Sequence, residues 1–257
     1  MTAPAGTGTG AAAVARPNGP QWRPATLTGD RRENPATRTL ILDVPGWPGH
    51  LPGQHVDVRL TAEDGYQAVR SYSMSAPADG RRVELTVQRV PDGEVSPYLV
   101  DDLPAGAQIE VLGPVGGWFV WRPAEPAPSL LLAGGVGIAP IMAMVRAWRR
   151  EPAGPLRLLY SLRSPDRLCY GTELAGLPGP DAGVLLAYTR RTPGGQDRPP
   201  GRLTPADLAR HGMPAEQAPR CYVCGPTGFV EAVSATLTAL GHDPSRIRTE
   251  RFGPTGG

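Results

Sequence analysis

From Pro24 to about Pro114 apolar and polar positions alternate in short runs, Arg38–Val44, His55–Leu60, Val83–Gln88 and Ile109–Leu112, each cut off by Pro or Gly. A period of two with this punctuation predicts an antiparallel sheet closed into a β-barrel. The pattern changes after Trp121–Pro128, a stretch with three prolines in eight residues that reads as a linker. Ser129–Ala133 is then a continuous apolar run, followed by Ile141, Met144, Val145 and Trp148 at helical spacing, with Pro140 in the first turn, where a missing N–H costs little. Further apolar runs at Leu156–Leu162, Gly183–Tyr188 and Arg220–Cys224 alternate with helical stretches. One helix starts at Thr204-Pro205. Another covers Gly228–Leu240, with Val230, Val233, Leu237 and Leu240 on one face and Gly241 as its stop. Strand–helix alternation of this kind predicts a parallel sheet with helices on both faces and ligands at the carboxyl ends of its strands. The expected organisation is a disordered tail over residues 1–20, an antiparallel β-barrel over 21–123 and an α/β parallel-sheet domain over 124–257.

Charge narrows the function only by exclusion. Lys+Arg number 26 against 24 Asp+Glu, so the chain lacks the basic excess expected of a nucleic-acid binder. All the basic residues except His are Arg, which presents a planar fork of donors to phosphate where Lys presents a point charge. Three cysteines cannot supply the four thiolates of a standard iron–sulfur cluster. No apolar run is long enough to cross a bilayer and the N-terminus does not read as a secretion signal, so the expected location is the cytoplasm.

Two glycine turns carry candidate chemistry. Gly134-Gly135-Val136-Gly137-Ile138-Ala139-Pro140 joins a predicted strand to a predicted helix, so its backbone could approach an anion at the helix N-terminus. The spacing is not G-x-G-x-x-G. Ser161-Leu162-Arg163 stands where an ordinary NAD site would place its ribose-binding carboxylate. The alternative is a turn whose glycines serve only close strand-to-helix packing. Cys224-Gly225-Pro226 repeats the arrangement at the end of another strand, and two such turns on one sheet edge suggest one elongated ligand. Cys221 and Cys224 are three apart in a strand and face opposite sides, so they do not form a metal pair; Cys221 is expected to pack and Cys224 to face the ligand.

Arg70-Ser71-Tyr72-Ser73, Gly134–Pro140, Cys224-Gly225-Pro226 and Glu250-Arg251-Phe252-Gly253, in this order, resemble the ferredoxin-NADP reductase superfamily from about residue 22 to 253. The resemblance implies that FAD lies on the barrel, with Arg70 on its phosphate, Ser71 beside it, Tyr72 against the isoalloxazine ring and Ser73 near N5. It further implies that Val87-Gln88-Arg89-Val90 lines the ribityl and diphosphate portion, and that Gly93, Val95 and Ser96 form a phosphate turn in which Ser96 caps a short helix begun by Pro97. For NADPH or NADH it implies Gly135, Gly137, Pro140, Gly225 and Pro226 around the nucleotide, with Thr189-Arg190 at a 2'-phosphate. Arg163 and Arg191 are near enough in sequence to assist. Cys224, Glu250 and Phe252 would lie beside nicotinamide and flavin.

The activity so implied is hydride transfer from NAD(P)H to FAD, with electrons passed singly to a separate acceptor protein, a ferredoxin or an oxygenase component. No metal is expected. The competing readings are a reductase of free flavin or ferric chelates, and a non-catalytic flavin- or nucleotide-binding docking module.

Overall fold

Alternating segments of the first half pair into one sheet. In the computed structural model, which describes residues 20–122, 125–177, 179 and 181–253, six strands form it: β1 (Gln21–Asn34), β2 (Thr37–Asp43), β3 (His55–Thr61), β4 (Gln67–Ser73), β5 (Arg82–Gln88) and β6 (Gln108–Val115). Their order is β4-β3-β6-β1-β2-β5, antiparallel throughout. The two edges meet through the Met74–Leu85 bridge and the Ser75 N–H, which donates to the Glu84 carbonyl at 2.9 Å, so the sheet curls closed as expected. Closure covers edges that would otherwise expose unpaired backbone groups. Its interior is filled by Leu40, Leu42, Val56, Val58, Leu85, Val87 and Val111, all fully buried. The tail predicted over 1–20 lies, apart from residue 20, outside the described residues, as does the boundary predicted at 123/124.

The second half contributes β7 (Ser129–Gly134), α1 (Ile138–Arg150), β8 (Leu156–Leu162), α2 (Gly171–Ala175), β9 (Ala182–Tyr188), α3 (Pro205–His211), β10 (Arg220–Pro226), α4 (Thr227–Ala239) and β11 (Ile247–Phe252). The five strands are parallel in the order β11-β10-β7-β8-β9. β7 is buried at every position because both of its faces are covered. Alternate residues feed two cores: Leu131, Ala133, Leu158, Tyr160, Tyr222 and Cys224 pack with α1 on one face, while Leu130, Leu132, Leu159, Cys221 and Val223 pack with α3 and α4 on the other. Cys221 and Cys224 therefore do face opposite ways. Thr204 caps α3 in a reciprocal box with Asp207, and Gly241, at φ +89°, ends α4. Leu240 departs from expectation: it falls at the helix end, 37% exposed, while Val230, Val233 and Leu237 are buried.

The halves are bonded to each other, not merely tethered. Arg146 of α1 donates to Glu84 of the barrel at 3.2 Å, to the Ser75 carbonyl at 2.9 Å, and to Glu173 of α2. Glu33 accepts from the Tyr170 N–H at 3.0 Å, Tyr170 and Thr86 share a buried hydroxyl contact, and Asn34 donates to the Arg167 carbonyl. Trp121, read from the sequence as part of a linker, is 3% exposed and belongs to the first of these two cores, the one on the α1 face; its backbone N–H donates to the Pro52 carbonyl at 3.0 Å. Burying this indole while the Trp121 backbone N–H pairs with Pro52 fixes the approach of the two halves and hence the cleft between them.

Candidate functional site

The cleft gathers groups far apart in sequence. Ser73, the last residue of β4, is 3% exposed, and its hydroxyl donates across the cleft to Glu250 Oε2 of β11 at 3.5 Å. Parallel pairing sets Glu250 directly beside Cys224 of β10, whose thiol donates to the same oxygen at 3.8 Å. These contacts are long, so they compensate poorly for lost water. Burial consequently raises the Glu250 pKa to about 7, against the smaller opposing effects of Cys224 and Ser73. Burial, with the neighbouring Glu250 charge, also holds the Cys224 thiol well above its ordinary range, so this cysteine is a small soft packing group and not a nucleophile.

His55 completes the cluster and was not singled out from sequence. It opens β3 directly opposite Ser73, and its Nδ1 lies 3.8 Å from Glu250 Oε1. Burial lowers its pKa, partly offset by Asp57. The run beginning at His55 was legible as a strand. The register pairing His55 with Ser73 was not.

On the barrel side the expected flavin residues fall along β4 and its neighbours. Tyr72 packs partly on the barrel core, and burial pushes its phenol up to about 12. Arg70 stands on the same strand face, exposed, with its guanidinium on Glu94 at 2.7 Å; Tyr66 donates to the other oxygen of that carboxylate at 2.8 Å. Such an exposed pair contributes little, so a diphosphate could take over the guanidinium. Ser71 is tied to Asp57 by its hydroxyl. Val87 and Val95 point into the barrel, leaving their backbone to face outward; Gln88 is half-buried, Arg89 pairs with Asp101 at 3.2 Å, and Val90 is exposed. Gly93 turns the chain through a bond from its N–H to the Val90 carbonyl.

Ser96 corrects its expected role. Its hydroxyl accepts from the Val90 N–H at 3.0 Å and caps no helix. The following turn, Tyr98–Asp102, is a short π-type turn with Pro97 at its N-cap, where no side chain bonds. Ser96 thus ties the Gly93–Ser96 turn to the segment just after β5. A hydroxyl near a turn fits either arrangement, which is why sequence alone misplaced it.

On the parallel sheet the glycines divide the work. A Cβ on Gly137 would meet the Cys224 carbonyl and the Gly225 Cα, and one on Gly134 would meet the Phe229 ring, so these residues let the two turns close on each other. Gly135 differs: at φ +55° it has open space around the missing side chain, at the start of the short turn leading into α1. A backbone exposed beside a helix N-terminus suits a phosphate. Pro140 is in the first turn of α1, as expected. At the far end, the Thr189 and Arg190 N–H groups donate to the Leu162 and Arg163 carbonyls at 2.8 and 2.9 Å, placing exposed Arg163 and Arg190 side by side. Arg191 is instead paired with Asp166. Phe252, beside Pro226 across the strand pair, packs partly on the first core. The barrel side thus carries an aromatic, a guanidinium and a tight turn together, and the parallel sheet carries a glycine edge with two exposed arginines at its far end. Among the described residues there is no cluster of His, Cys, Asp and Glu able to hold a metal, and no helix is long and apolar enough to cross a membrane.

Comparison with known proteins agrees with this division. Residues 24–120 match the oxidoreductase FAD-binding domain family and residues 131–235 the oxidoreductase NAD-binding domain family. A ferredoxin--NAD(P)(+) reductase component of the naphthalene 1,2-dioxygenase/salicylate 5-hydroxylase systems of Ralstonia sp is 31% identical over 210 residues, 80% of this chain and 61% of that one. Among solved structures, the FAD/NAD-binding domain of nitric oxide dioxygenase from Vibrio cholerae superposes with a TM-score of 0.78 at 27% identity, covering 90% of this chain and 99% of that one. An Amycolatopsis cytochrome P450 reductase gives 0.80 at 27% identity, covering 96% and 74%. The chain spans about half to three fifths of the length of the curated relatives it matches. Two family matches, in the order and on the two sheets described, make this chain a member of the ferredoxin-NADP reductase superfamily, with an FAD-binding barrel and an NAD(P)-binding α/β domain.

Proposed function

We propose that this protein is an NAD(P)H-dependent flavoprotein reductase that takes hydride from the nicotinamide and passes electrons one at a time to a separate redox protein, a ferredoxin or an oxygenase component. The observation that supports this reading is the meeting of Ser73 from the barrel with Cys224 and Glu250 from the parallel sheet, a hydroxyl, a thiol and a carboxyl gathered in the cleft between the two cofactor-binding halves. Bound FAD supplies the exchange between one two-electron donor and one-electron acceptors; the chain supplies placement and electrostatics. Tyr72 gives an aromatic wall, Ser73 a hydroxyl at the reacting edge, and fully buried Cys224 excludes water. The names of the Ralstonia and Amycolatopsis relatives support delivery to an oxygenase partner.

Arg163 and Arg190 favour NADPH over NADH. Two exposed guanidinium groups at the strand ends suit a 2'-phosphate and have no equivalent use for a 2'-hydroxyl. Replacing both with Ala is expected to raise KM for NADPH by about tenfold or more while leaving KM for NADH nearly unchanged. Equal loss for both nucleotides in steady-state assays would assign the arginines a structural role instead. The acceptor is tested by comparing reduction rates of ferredoxins with those of free flavin and ferric chelates.

The Arg70–Glu94 pair gives some weight to a second reading, a reductase of diffusible flavin. A flavin diphosphate exchanges one exposed partner of Arg70 for another, so this guanidinium alone adds little net hold on a flavin. Gel filtration separates the two readings: a resident FAD stays with the protein, and a substrate flavin washes off.

A further inference from the structure

Helix α1 bears on both sides of the cleft. Its N-terminus follows the Gly135–Gly137 turn, which closes on the Cys224 carbonyl at the edge of the parallel sheet. Further along the same helix, about 13 Å from Gly137 at the usual rise per residue, Arg146 reaches the barrel. Its Nη1 donates to the Ser75 carbonyl at 2.9 Å and to Glu84 Oε2 at 3.2 Å. Ser75 stands two residues beyond Ser73, and its own N–H is fixed on the Glu84 carbonyl at 2.9 Å. A shift of Arg146 therefore reaches the flavin side of the cleft through two peptide units.

We propose that Arg146 is a positioning residue for hydride transfer: from the helix that begins at the glycine turn it grips the Ser75 carbonyl and Glu84, and so sets how closely a nicotinamide on the parallel sheet approaches the flavin edge beside Ser73. The inference rests on the proposed function and adds to it the residue that aligns the two rings.

Stability alone is a poor account of this bond. The Arg146 side chain is 15% exposed and that of Glu84 8%, and at such burial the lost hydration offsets most of the attraction. What a guanidinium supplies is direction, because its donors lie in one rigid plane. Here they are divided among Ser75, Glu84 and Glu173 of α2, with the Arg146 Cζ 5.2 Å from the Tyr170 ring centroid. Arg31 and Arg82 hold Glu84 from within the barrel, at 3.2 and 2.7 Å, so the acceptor is anchored before α1 meets it. The same helix has an apolar contact as well. A Cβ on Gly53 would overlap the Phe119 carbonyl oxygen and lie 2.8 Å from Met144 Cε, so the barrel loop and α1 meet there at the closest backbone approach glycine allows. One point of contact leaves the halves free to rock about it; the second, at Arg146, removes that freedom. The bonds from Glu33 to the Tyr170 N–H and from Asn34 to the Arg167 carbonyl reach the segment before α2 and not α1. Displacement of about 1 Å between reacting centres is enough to slow such a transfer by about a hundredfold.

The test is anaerobic stopped-flow reduction of the FAD-loaded protein over a series of NADPH concentrations, which separates the limiting rate of flavin reduction from the dissociation constant of the nucleotide. Arg146→Gln should lower the limiting rate by about tenfold or more, leave the dissociation constant within about twofold, and weaken the long-wavelength charge-transfer absorbance of stacked nicotinamide and flavin. Reduction of the same variant by dithionite, which needs no aligned ring, should match wild type. Arg146→Lys, which keeps the charge but not the fork, should lose about threefold. Arg31→Gln, which takes another arginine from Glu84 without touching α1, should behave as wild type. Amide exchange in the nucleotide-free protein gives a readout apart from turnover: the Ser75 N–H should exchange faster in Arg146→Gln, with β1 and β2 unchanged. A wild-type limiting rate in Arg146→Gln, a loss carried by the dissociation constant, an equal slowing with dithionite, or an equal loss in Arg31→Gln overturns the positioning role. Should the Gln variant not fold, Arg146→Lys decides by the same comparison, and a wild-type rate there overturns the role. Failure of NADPH to reduce wild type at all would instead sink the proposed function.

Discussion

Gly137→Ala is expected to destabilise the protein by about 3 kcal/mol or more and to weaken nicotinamide nucleotide binding by about two orders of magnitude. The added methyl would overlap the Cys224 carbonyl oxygen, lying 2.5 Å from the carbonyl carbon and 2.8 Å from the Gly225 Cα. All three are backbone atoms, so no rotamer change relieves the clash. Relief requires the β7–α1 turn and the β10–α4 turn to separate, and with them the surface on which the nucleotide would lie. Gly135→Ala is the control, because its Cβ meets nothing within 4 Å and only the φ of +55° opposes it, at about 1 kcal/mol. Urea unfolding and nucleotide titration of the two variants measure the contrast. Equal, small effects at both positions would mean that the close approach of the turns is not what organises this edge.

Glu250→Gln is expected to stabilise the protein at pH 8 while impairing it as a reductase. Burial raises the Glu250 pKa from 4.5 unfolded to about 7 folded, so between those values the folded state binds more protons than the unfolded state. Stability from this group is therefore highest below pH 4.5, declines as pH rises, and reaches its full penalty above about pH 7. That penalty is about 3 kcal/mol, and Gln escapes it. The difference in unfolding free energy between the variant and wild type should be near zero at pH 4 and grow steadily to pH 8. Proton handling is lost at the same time, so electron delivery to a one-electron acceptor should fall by about a hundredfold. A difference that stays flat with pH would place the carboxyl in ordinary contact with water. A destabilising, site-disabling glycine and a stabilising, site-disabling glutamate distinguish architecture from chemistry.

Much of this was legible in the sequence. Alternation gave the barrel strands β2, β3, β5 and β6, and the change of rhythm after Trp121 marked the parallel-sheet half. The opposed faces of Cys221 and Cys224 followed from strand geometry alone. What escaped depended on register and on choices among equivalent polar partners. His55 reaches Ser73 only through cross-strand pairing, and Glu250 only through the docking of two separate sheets. Ser96 bonds to the Val90 N–H where a helix cap was expected. Similarly, nothing in the spacing of Arg70 and Glu94 announced their pairing, because a hairpin and a turn bring them together. The interdomain set around Arg146 and Glu84 was missed for the same reason: each residue alone reads as solvated surface charge.

In the proposed mechanism the barrel holds FAD and the parallel sheet presents NAD(P)H to it across the Ser73–Glu250 cleft. Anaerobic stopped-flow mixing of the flavin-loaded protein with NADPH, and with NADPH carrying deuterium on the transferred position of C4, follows that hydride transfer itself. Bleaching of the flavin absorbance that slows with the deuterated nucleotide, and that Glu250→Gln and Gly137→Ala both alter, is the predicted result. A protein that retains no flavin, or a bound flavin whose absorbance NADPH and NADH both leave unchanged, would contradict it.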